Sequence, residues 1–416
     1  MLNSVTTGLI YSSLFLSLFF EVFLLITYLE KRGALKSEVA KKKSGQNFES
    51  VTIIVPCYNE EKTITKTIES LLALQYPKDK LKILIIDDGS KDSSLDVLKK
   101  YEQHEQIEIH SKENGGKYTV LNYGLNLTKS DLVGCLDADS FVDPNTLERI
   151  IVHFEDPEVM AVTPAIKVFE PRNVLQLIQR VEYGWGIFLR KMLSYLGAIY
   201  VTPGPFSIFR REVFEKLGGY KHAHFTEDFE LALRMQKHRY KIVNAHDAHV
   251  YTVTPQNLKE LYTQRLRWTY GFLNNVIDYR FMLFKKEYGN IGMYILPMAT
   301  VSIFSALYFF STLLWNFGLK AYEYVIKIQT VGFSWDVQNI FNFDWFFFNT
   351  NSPVFIAAII AILSTAILIL SRIMTEGKFR FSIDLVYFLT LYAFIVPLWL
   401  SRAVYNTAFS KKITWR

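Results

Sequence analysis

The sequence predicts an α/β fold, a mostly parallel sheet with helices on both faces, joined to an α-helical membrane region. Three observations predict it. Between Glu49 and about Pro255, short β-branched runs alternate with helical periods, the pattern of strands linked by crossover helices. Long apolar runs flank that region on both sides. Hydrophobic residues make up 50% of the 416 residues, aromatics 15% and charged residues only 21%, with a mean hydropathy of +0.13, more apolar than a soluble surface needs. The length admits no more than about three domains of ~100–200 residues. A formal net charge of only +6 argues against a nucleic-acid partner. Cys57 and Cys135, the two cysteines, cannot build a disulfide scaffold and lack the company of a zinc site, which suits a reducing compartment.

Residues 8–29 are apolar apart from Glu21, long enough at ~1.5 Å per residue to cross a ~30 Å hydrocarbon layer. Glu30, Lys31 and Arg32 follow, then Lys36, Lys41, Lys42 and Lys43, and no basic residue precedes. The segment reads as a retained anchor whose C-terminal flank is cytoplasmic. The organisation expected is an anchor (1–30), a basic linker (31–49), the α/β domain (50–255), amphipathic interfacial helices (256–290), a membrane region of about three spans (291–404) and a basic tail (405–416).

Within the α/β domain, strands are expected at 51–55, 81–86, 107–110 and 132–136, and helices at 60–74, 93–101, 118–127 and 229–237. Tyr58, Asn59 and Glu60 follow the first strand, Asp87 and Asp88 the second, and Asp137 and Asp139 the fourth. Ligands of such sheets bind beyond the carboxyl ends of the strands. Carboxylates gathered there repel an anion unless a divalent cation intervenes, and oxygen ligands suit Mg²⁺ or Mn²⁺. Lys117, after Gly115 and Gly116, adds a cation and a close backbone approach that fit a diphosphate. Each piece alone has a bland reading as a turn or a solvated loop; their order along the chain is the signal.

The spans in the second half are expected at 291–317, 353–371 and 383–400. With the middle of the chain cytoplasmic, the basic loop at 372–380 falls inside, but a fourth crossing puts Lys411, Lys412 and Arg416 outside, against the positive-inside rule. Either a further span lies in the aromatic stretch 341–348 or one run is re-entrant or interfacial. Glu21, costly in lipid, either lines a translocation path or finds a hydrogen-bond partner near the helix end.

The segments Pro56-Cys57-Tyr58-Asn59-Glu60, Asp87-Asp88-Gly89-Ser90, Gly116-Lys117, Leu136-Asp137-Ala138-Asp139, Gly204-Pro205, Thr226-Glu227-Asp228 and Gln264-Arg265-Leu266-Arg267-Trp268 resemble those of the processive family 2 glycosyltransferases, which include cellulose, hyaluronan and poly-N-acetylglucosamine synthases. The resemblance runs from about residue 51 to residue 271 and implies a GT-A fold with a Rossmann-like sheet. It implies that Tyr58, Glu60, Asp87, Asp88, Lys117 and Asp137 bind the UDP-sugar and that Asp139 reaches the metal. Asp228 corresponds to the general base, with Glu227 its rival. Gly204, Gln264, Arg267 and Trp268 resemble the element that closes over the diphosphate and holds the acceptor.

The chemistry is consistent with those roles. Breaking a glycosyl–phosphate bond releases a diphosphate anion, so cationic groups are needed there: a metal, Lys117 and Arg267. One carboxylate within reach of an acceptor hydroxyl can take its proton, and a single displacement inverts the anomeric centre. Bland alternatives stand beside these. Thr226 or Asp228 can serve as a helix cap, and Trp268 as an interfacial anchor rather than a stacking platform for a pyranose. The basic, amphipathic stretch 257–284 is expected along the membrane surface. His246, Asp247 and His249 have metal-ligand spacing, but a solvated strand explains them better. Ser140 stands where some relatives have a metal-binding histidine.

The function expected is an inverting hexosyltransferase of the cell membrane, multi-pass with its catalytic domain cytoplasmic. It would extend a β-linked polysaccharide from a UDP-sugar, with UDP-N-acetylglucosamine favoured, processively and coupled to export. Its partners would be the donor, a polysaccharide or glycolipid acceptor, the bilayer, and a small membrane subunit or a second copy, since few spans make a poor polar lumen. The alternatives are a single-sugar transferase for a lipid-linked acceptor, or a non-catalytic nucleotide-sugar-binding subunit or transporter.

Overall fold

A computed structural model describes residues 2–40, 48–332, 352–378 and 382–411. An eight-stranded sheet, ordered β3-β2-β1-β4-β7-β6-β8-β5, lies at its centre. Its strands are β1 (Val51–Cys57), β2 (Leu81–Asp87), β3 (Ile107–Ser111), β4 (Leu132–Cys135), β5 (Ser140–Val142), β6 (Val159–Val168), β7 (Ile208–Arg210) and β8 (Lys241–Thr252). The strands expected from sequence are β1 to β4, and these run parallel. In register, Cys57 faces Asp87 and Ile54 faces Cys135. The loops after β1, β2 and β4 therefore leave one edge together.

The second half of the sheet is mixed. β7 runs antiparallel to both β4 and β6, and β5 antiparallel to β8, while β6 and β8 are parallel. The chain reaches β7 from the carboxyl edge, where Phe206 N–H donates to Cys135 O (2.6 Å), and leaves at the opposite edge, where Arg211 N–H donates to Asp131 O (2.9 Å). A strand entered from that side has to run backwards.

Alternation along β1 gives the sheet two cores. Ile53 and Val55 pack with α2 (Ile64–Leu72), α3 (Ser94–Lys99) and α5 (Thr146–Ile151). Ile54 faces the other core, with α4 (Lys117–Leu127), α7 (Arg211–Leu217) and α8 (Glu227–Lys237). Arg234 of α8 ties this layer together. It donates to the carbonyls of Leu217 (2.7 Å), Gly218 (3.2 Å) and Gly219 (2.8 Å) and to Glu230 Oε2 (2.9 Å), with both charged partners buried.

Two longer helices, α6 (Val174–Tyr195) and α9 (Leu258–Asp278), lie beneath the second half of the domain. Each begins with an asparagine cap: Asn173 accepts from Gln176 N–H and Asn257 from Glu260 N–H. In return Gln176 and Glu260 accept from the N–H groups of Arg172 and Gln256, reciprocal bonds that satisfy helix-end amides.

Among the described residues, four helices are long and apolar enough to cross a membrane, spanning Thr7–Leu35, Ile291–Thr330, Pro353–Glu376 and Ile383–Ala408. They belong to α1 (Leu2–Ala40), α10 (Leu296–Val331), α11 (Ser352–Glu376), and α12 (Ile383–Tyr387) continuing through a π-turn into α13 (Ala393–Ala408). The first helix thus runs on through Glu30, Lys31 and Arg32 instead of stopping at its charged flank. The aromatic stretch 341–348, Lys41, Lys42, Lys43, Arg380, Lys412 and Arg416 lie outside the described residues. Glu21 has a partner, because Ser364 Oγ of α11 donates to it.

The last apolar helix is tethered at both ends. Asp384, fully buried, accepts from Arg180 of α6 (Nε, 2.9 Å) and from Arg372 of α11 (Nη1, 3.1 Å). Asn274 Nδ2 of α9 donates to Thr407 Oγ1 (3.2 Å). Between these points Trp399, Leu400 and Ala403 pack on Leu261, Leu266, Tyr270 and Leu273, so α13 runs alongside α9.

Replacing Arg234 with alanine removes the arginine donor from three backbone carbonyls and from the buried Glu230, which keeps only Tyr279 and the exposed Lys221. Removing one member of a buried pair costs about 3 kcal/mol or more. Thermal unfolding of purified R234A should show a clearly lowered Tm; an unchanged Tm contradicts the role assigned to Arg234.

Candidate active site

Asp87 closes β2 and Asp88 follows it, and both are buried. Asp87 Oδ2 accepts from Gly89 N–H and Ser90 N–H, 3.2 Å each, and from Ser111 Oγ (3.2 Å). Asp88 accepts from Gly115 N–H (3.0 Å), Gly116 N–H (2.8 Å) and Lys112 Nζ (2.8 Å). The pair thus shapes the loop that presents Lys117 at the start of α4. Lys112, which the sequence reading passed over, is the counter-ion that makes burial of Asp88 tolerable.

Lys117 lies between two acids. It is ion-paired with Asp137 and stands 3.6 Å from Glu227. Burial works against its charge, but Asp137 and Glu227 outweigh it and raise the pKa above the ordinary lysine value. Gly204 passes directly over this pair: a Cβ there would be 2.6 Å from Lys117 Nζ and 3.2 Å from Asp137 Oδ2. Only a glycine lets the Gly204-Pro205 loop approach so closely.

Asp139 carries the strain of the acidic edge. Burial first, then the charges of Asp137 and Glu60, push its pKa up, and the hydroxyl of Ser140, 3.1 Å from Oδ1, offsets this only in part. Tyr58 and Glu60 lie on the same edge in the turn after β1, where Glu60 Oε2 accepts from Thr63 Oγ1 (2.7 Å). Among the described residues no three His, Cys, Asp or Glu side chains converge as a metal cage. That fits a cation held by one or two carboxylates and completed by substrate phosphates, as Mg²⁺ commonly is. A cation beside Asp139 would relieve the repulsion that raises its pKa.

His246, Asp247 and His249 do not join this site. His249 Nδ1 is 3.3 Å from Asp143 Oδ2, and the backbone carbonyl of Asp247 accepts from Arg149.

The turn before α8 holds the other acids. Ala223, His224 and Phe225 all adopt positive φ, at 42°, 54° and 68°, a costly run for non-glycine residues. Asn275 of α9 holds the turn by donating from Nδ2 to Ala223 O (3.1 Å) and Thr226 Oγ1 (2.9 Å). Gly271 of α9 is in direct contact: a Cβ there would lie 2.3 Å from Thr226 Oγ1. The capping alternative fails at Thr226, whose side chain makes no cap bond to the helix. Glu227 turns toward Lys117. Asp228 Oδ1 accepts from Phe229 N–H (2.9 Å), and no other protein bond to its carboxylate is present among the described residues. Burial and the neighbouring Glu227 push the Asp228 pKa up to about 6, against the pull of Lys117 and Arg267.

Gln264, Arg267 and Trp268 lie on α9. The residue that pins this helix is Arg265, between them. Buried, it donates from Nε and Nη2 to Glu182 of α6 (3.0 and 2.7 Å), and from Nη1 to Gln264 Oε1 (2.5 Å), and its guanidinium lies 4.2 Å from the centre of the Trp268 ring. Arg265 and Glu182 escaped the sequence reading because nothing in a hydropathy pattern marks a buried ion pair. The structure brings Lys117, Asp137, Asp139, Glu227, Asp228 and Arg267 within mutual electrostatic reach. Such a cluster can neutralise a leaving diphosphate on one side and accept a proton on the other.

Residues 52–218 match the family described as Glycosyl transferase family 2. Poly-beta-1,6-N-acetyl-D-glucosamine synthase from Staphylococcus aureus (strain COL) is 32% identical over 226 residues, 54% of each chain. The protein of that name from Staphylococcus epidermidis is 27% identical over 266 residues, 63% of this chain and 64% of the relative. The matched part thus spans between about half and under two thirds of these curated relatives. Among solved structures, a mannosyltransferase from Pyrobaculum calidifontis in complex with GDP-Man and Mn²⁺ shares the fold, with a TM-score of 0.54 and 18% identity over 94% of this chain and 99% of that one.

Lys117→Met removes the cation between Asp137 and Glu227 while keeping its length. Charged hydrogen bonds of this kind are worth about 1.5–3 kcal/mol, so on the expectation that Lys117 meets a diphosphate, nucleoside diphosphate affinity should fall by about 10- to 100-fold. Calorimetric titration of wild type and variant measures it; equal affinities contradict the assignment.

Proposed function

We propose, proceeding from a family 2 glycosyltransferase domain at residues 52–218, that the chain is an inverting, membrane-embedded hexosyltransferase extending a β-linked polysaccharide from a UDP-sugar. The observation that carries this reading is the division between Glu227, turned to Lys117, and Asp228, whose carboxylate accepts a single backbone bond and feels the charges of Lys117 and Arg267. The relatives named for poly-β-1,6-N-acetyl-D-glucosamine synthesis favour UDP-N-acetylglucosamine as the donor.

Asp228 takes the proton of the acceptor hydroxyl as its oxygen attacks the anomeric carbon. The new glycosidic bond forms while the bond to the phosphate oxygen breaks, and the electron pair leaves with UDP, so one displacement inverts the centre. Lys117 and Arg267 stand where negative charge develops on the diphosphate. Asp139, with Asp137 beside it, would hold Mg²⁺ or Mn²⁺, which supplies further positive charge to the departing diphosphate. Tyr58 and the loop shaped by Asp87 and Asp88 receive the uridine. Gly204, Gln264 and Trp268 close the acceptor side.

The catalytic domain faces the cytoplasm, and α1, α10 and α11 cross the membrane. The fourth apolar helix does not, because α13 follows α9 and stays tied to Asn274 at its end. That keeps Lys411 on the cytoplasmic face, as the positive-inside rule requires. A small membrane subunit or a second copy completes a polar path for the product.

Membranes supplied with labelled UDP-N-acetylglucosamine and Mg²⁺ or Mn²⁺ should release UDP and yield a ladder or high polymer. Asp228→Asn should abolish release, and wild-type kcat/KM should fall as pH drops through about 6, because the base works only when ionised. Undiminished release by D228N sinks the assignment, and a product of one lipid-linked sugar favours a single-turnover transferase. A reporter fused after the last residue should be cytoplasmic; a periplasmic or extracellular signal would return α13 to the role of a span.

A further inference from the structure

Several buried cations among the described residues are matched to acceptors. Arg265 pairs with Glu182, Arg234 with Glu230, and Lys191 donates to Asn244 O (3.0 Å). Arg190 of α6 has a buried Nε without a hydrogen-bond acceptor, and no carboxylate pairs with its guanidinium among the described residues. Its side chain lies back along the helix, with Nη1 3.4 Å from the Cβ position of Gly186. Tyr183 is two turns earlier on the same face. Burial, eased only by Tyr200 and Tyr183, lowers the Arg190 pKa to about 10.

The surroundings place this guanidinium next to the reacting edge. The Tyr200 ring is 5.8 Å from that of Phe229, the residue after Asp228, and 6.3 Å from that of Phe272 on α9. The Tyr183 ring is 5.9 Å from the Arg265 guanidinium, and its hydroxyl feels the charge of Asp139. Tyr200 thus links Arg190 to the helix bearing Asp228, and Tyr183 links it to Arg265 on the helix carrying Trp268. An unpaired buried cation costs several kcal/mol, a cost that oxygens arriving with a substrate can offset.

We propose that Arg190, flanked by Tyr183 and Tyr200, positions the terminal sugar of the acceptor by donating to its hydroxyl or acetamido oxygens, so that the attacking hydroxyl meets Asp228. This rests on the transferase reading above. Two phenol rings suit the C–H faces of a pyranose. Asp228, Glu227 and Asp139 nearby disfavour an anionic acceptor, so a neutral sugar fits better than a phosphate.

The test uses the full chain in lipid nanodiscs, with UDP-N-acetylglucosamine as donor and β-1,6-linked N-acetylglucosamine oligomers as primers. Arg190→Ala should raise the primer KM by tenfold or more while the donor KM stays within twofold, and Arg190→Lys should recover part of the loss. If R190A fails to fold, R190K and R190Q give the same KM comparison. An unchanged primer KM, or donor and primer KM rising together, overturns the proposal. So does a stimulation by anionic lipid that R190A abolishes, which would assign the guanidinium to a phosphate. A wild-type chain that transfers to no primer instead fails the transferase reading itself.

Discussion

Electrostatic repulsion at one edge of the sheet is the constraint on which the rest of the structure depends. Glu60, Asp137, Asp139, Glu227 and Asp228 converge there. Two like charges 4 Å apart at an effective dielectric of 20 repel by about 4 kcal/mol, several times the ~1 kcal/mol net worth of an ordinary hydrogen bond. Lys117 meets part of that cost through Asp137 and Glu227. The rest shows in the raised pKa values of Asp139 and Asp228. Positive charge brought to this edge would relieve that repulsion.

The acids divide into those that build the site and those that face it. Asp87 and Asp88 spend their oxygens on loop amides, Ser111 and Lys112. Their contribution is to hold Gly115, Gly116 and Lys117 in place. Arg265 does the same for α9, since its bond to Glu182 fixes where Arg267 and Trp268 stand.

The first half of the domain was legible in the sequence because β1, β2 and β4 are buried on both faces and end in acidic turns, so apolar runs and motifs coincide. The start of α2 was placed early: Glu60 begins a turn, with Thr63 N–H donating to Glu60 O (3.1 Å), and the helix proper starts at Ile64. The second half was harder. β7 and β5 are three residues long each, too short for a periodic signal, and their antiparallel pairing turns the sheet from parallel to mixed. The caps Asn173–Gln176 and Asn257–Glu260 carried a local signal for α6 and α9 that hydropathy does not register. Ion pairs between distant segments, such as Arg265 with Glu182, exist only once the chain has folded. Among the apolar runs, length and composition found all four helices, but whether a helix crosses a bilayer or lies along another helix depends on what its ends touch.

The contact between Gly271 and Thr226 leaves no side-chain layer between α9 and the turn that carries Asp228. Close-packed interiors transmit displacement with little damping. A tilt of α9 is therefore felt at the Asp228 carboxylate two residues on, so whatever presses on that helix from outside the domain reaches the acidic edge of the sheet.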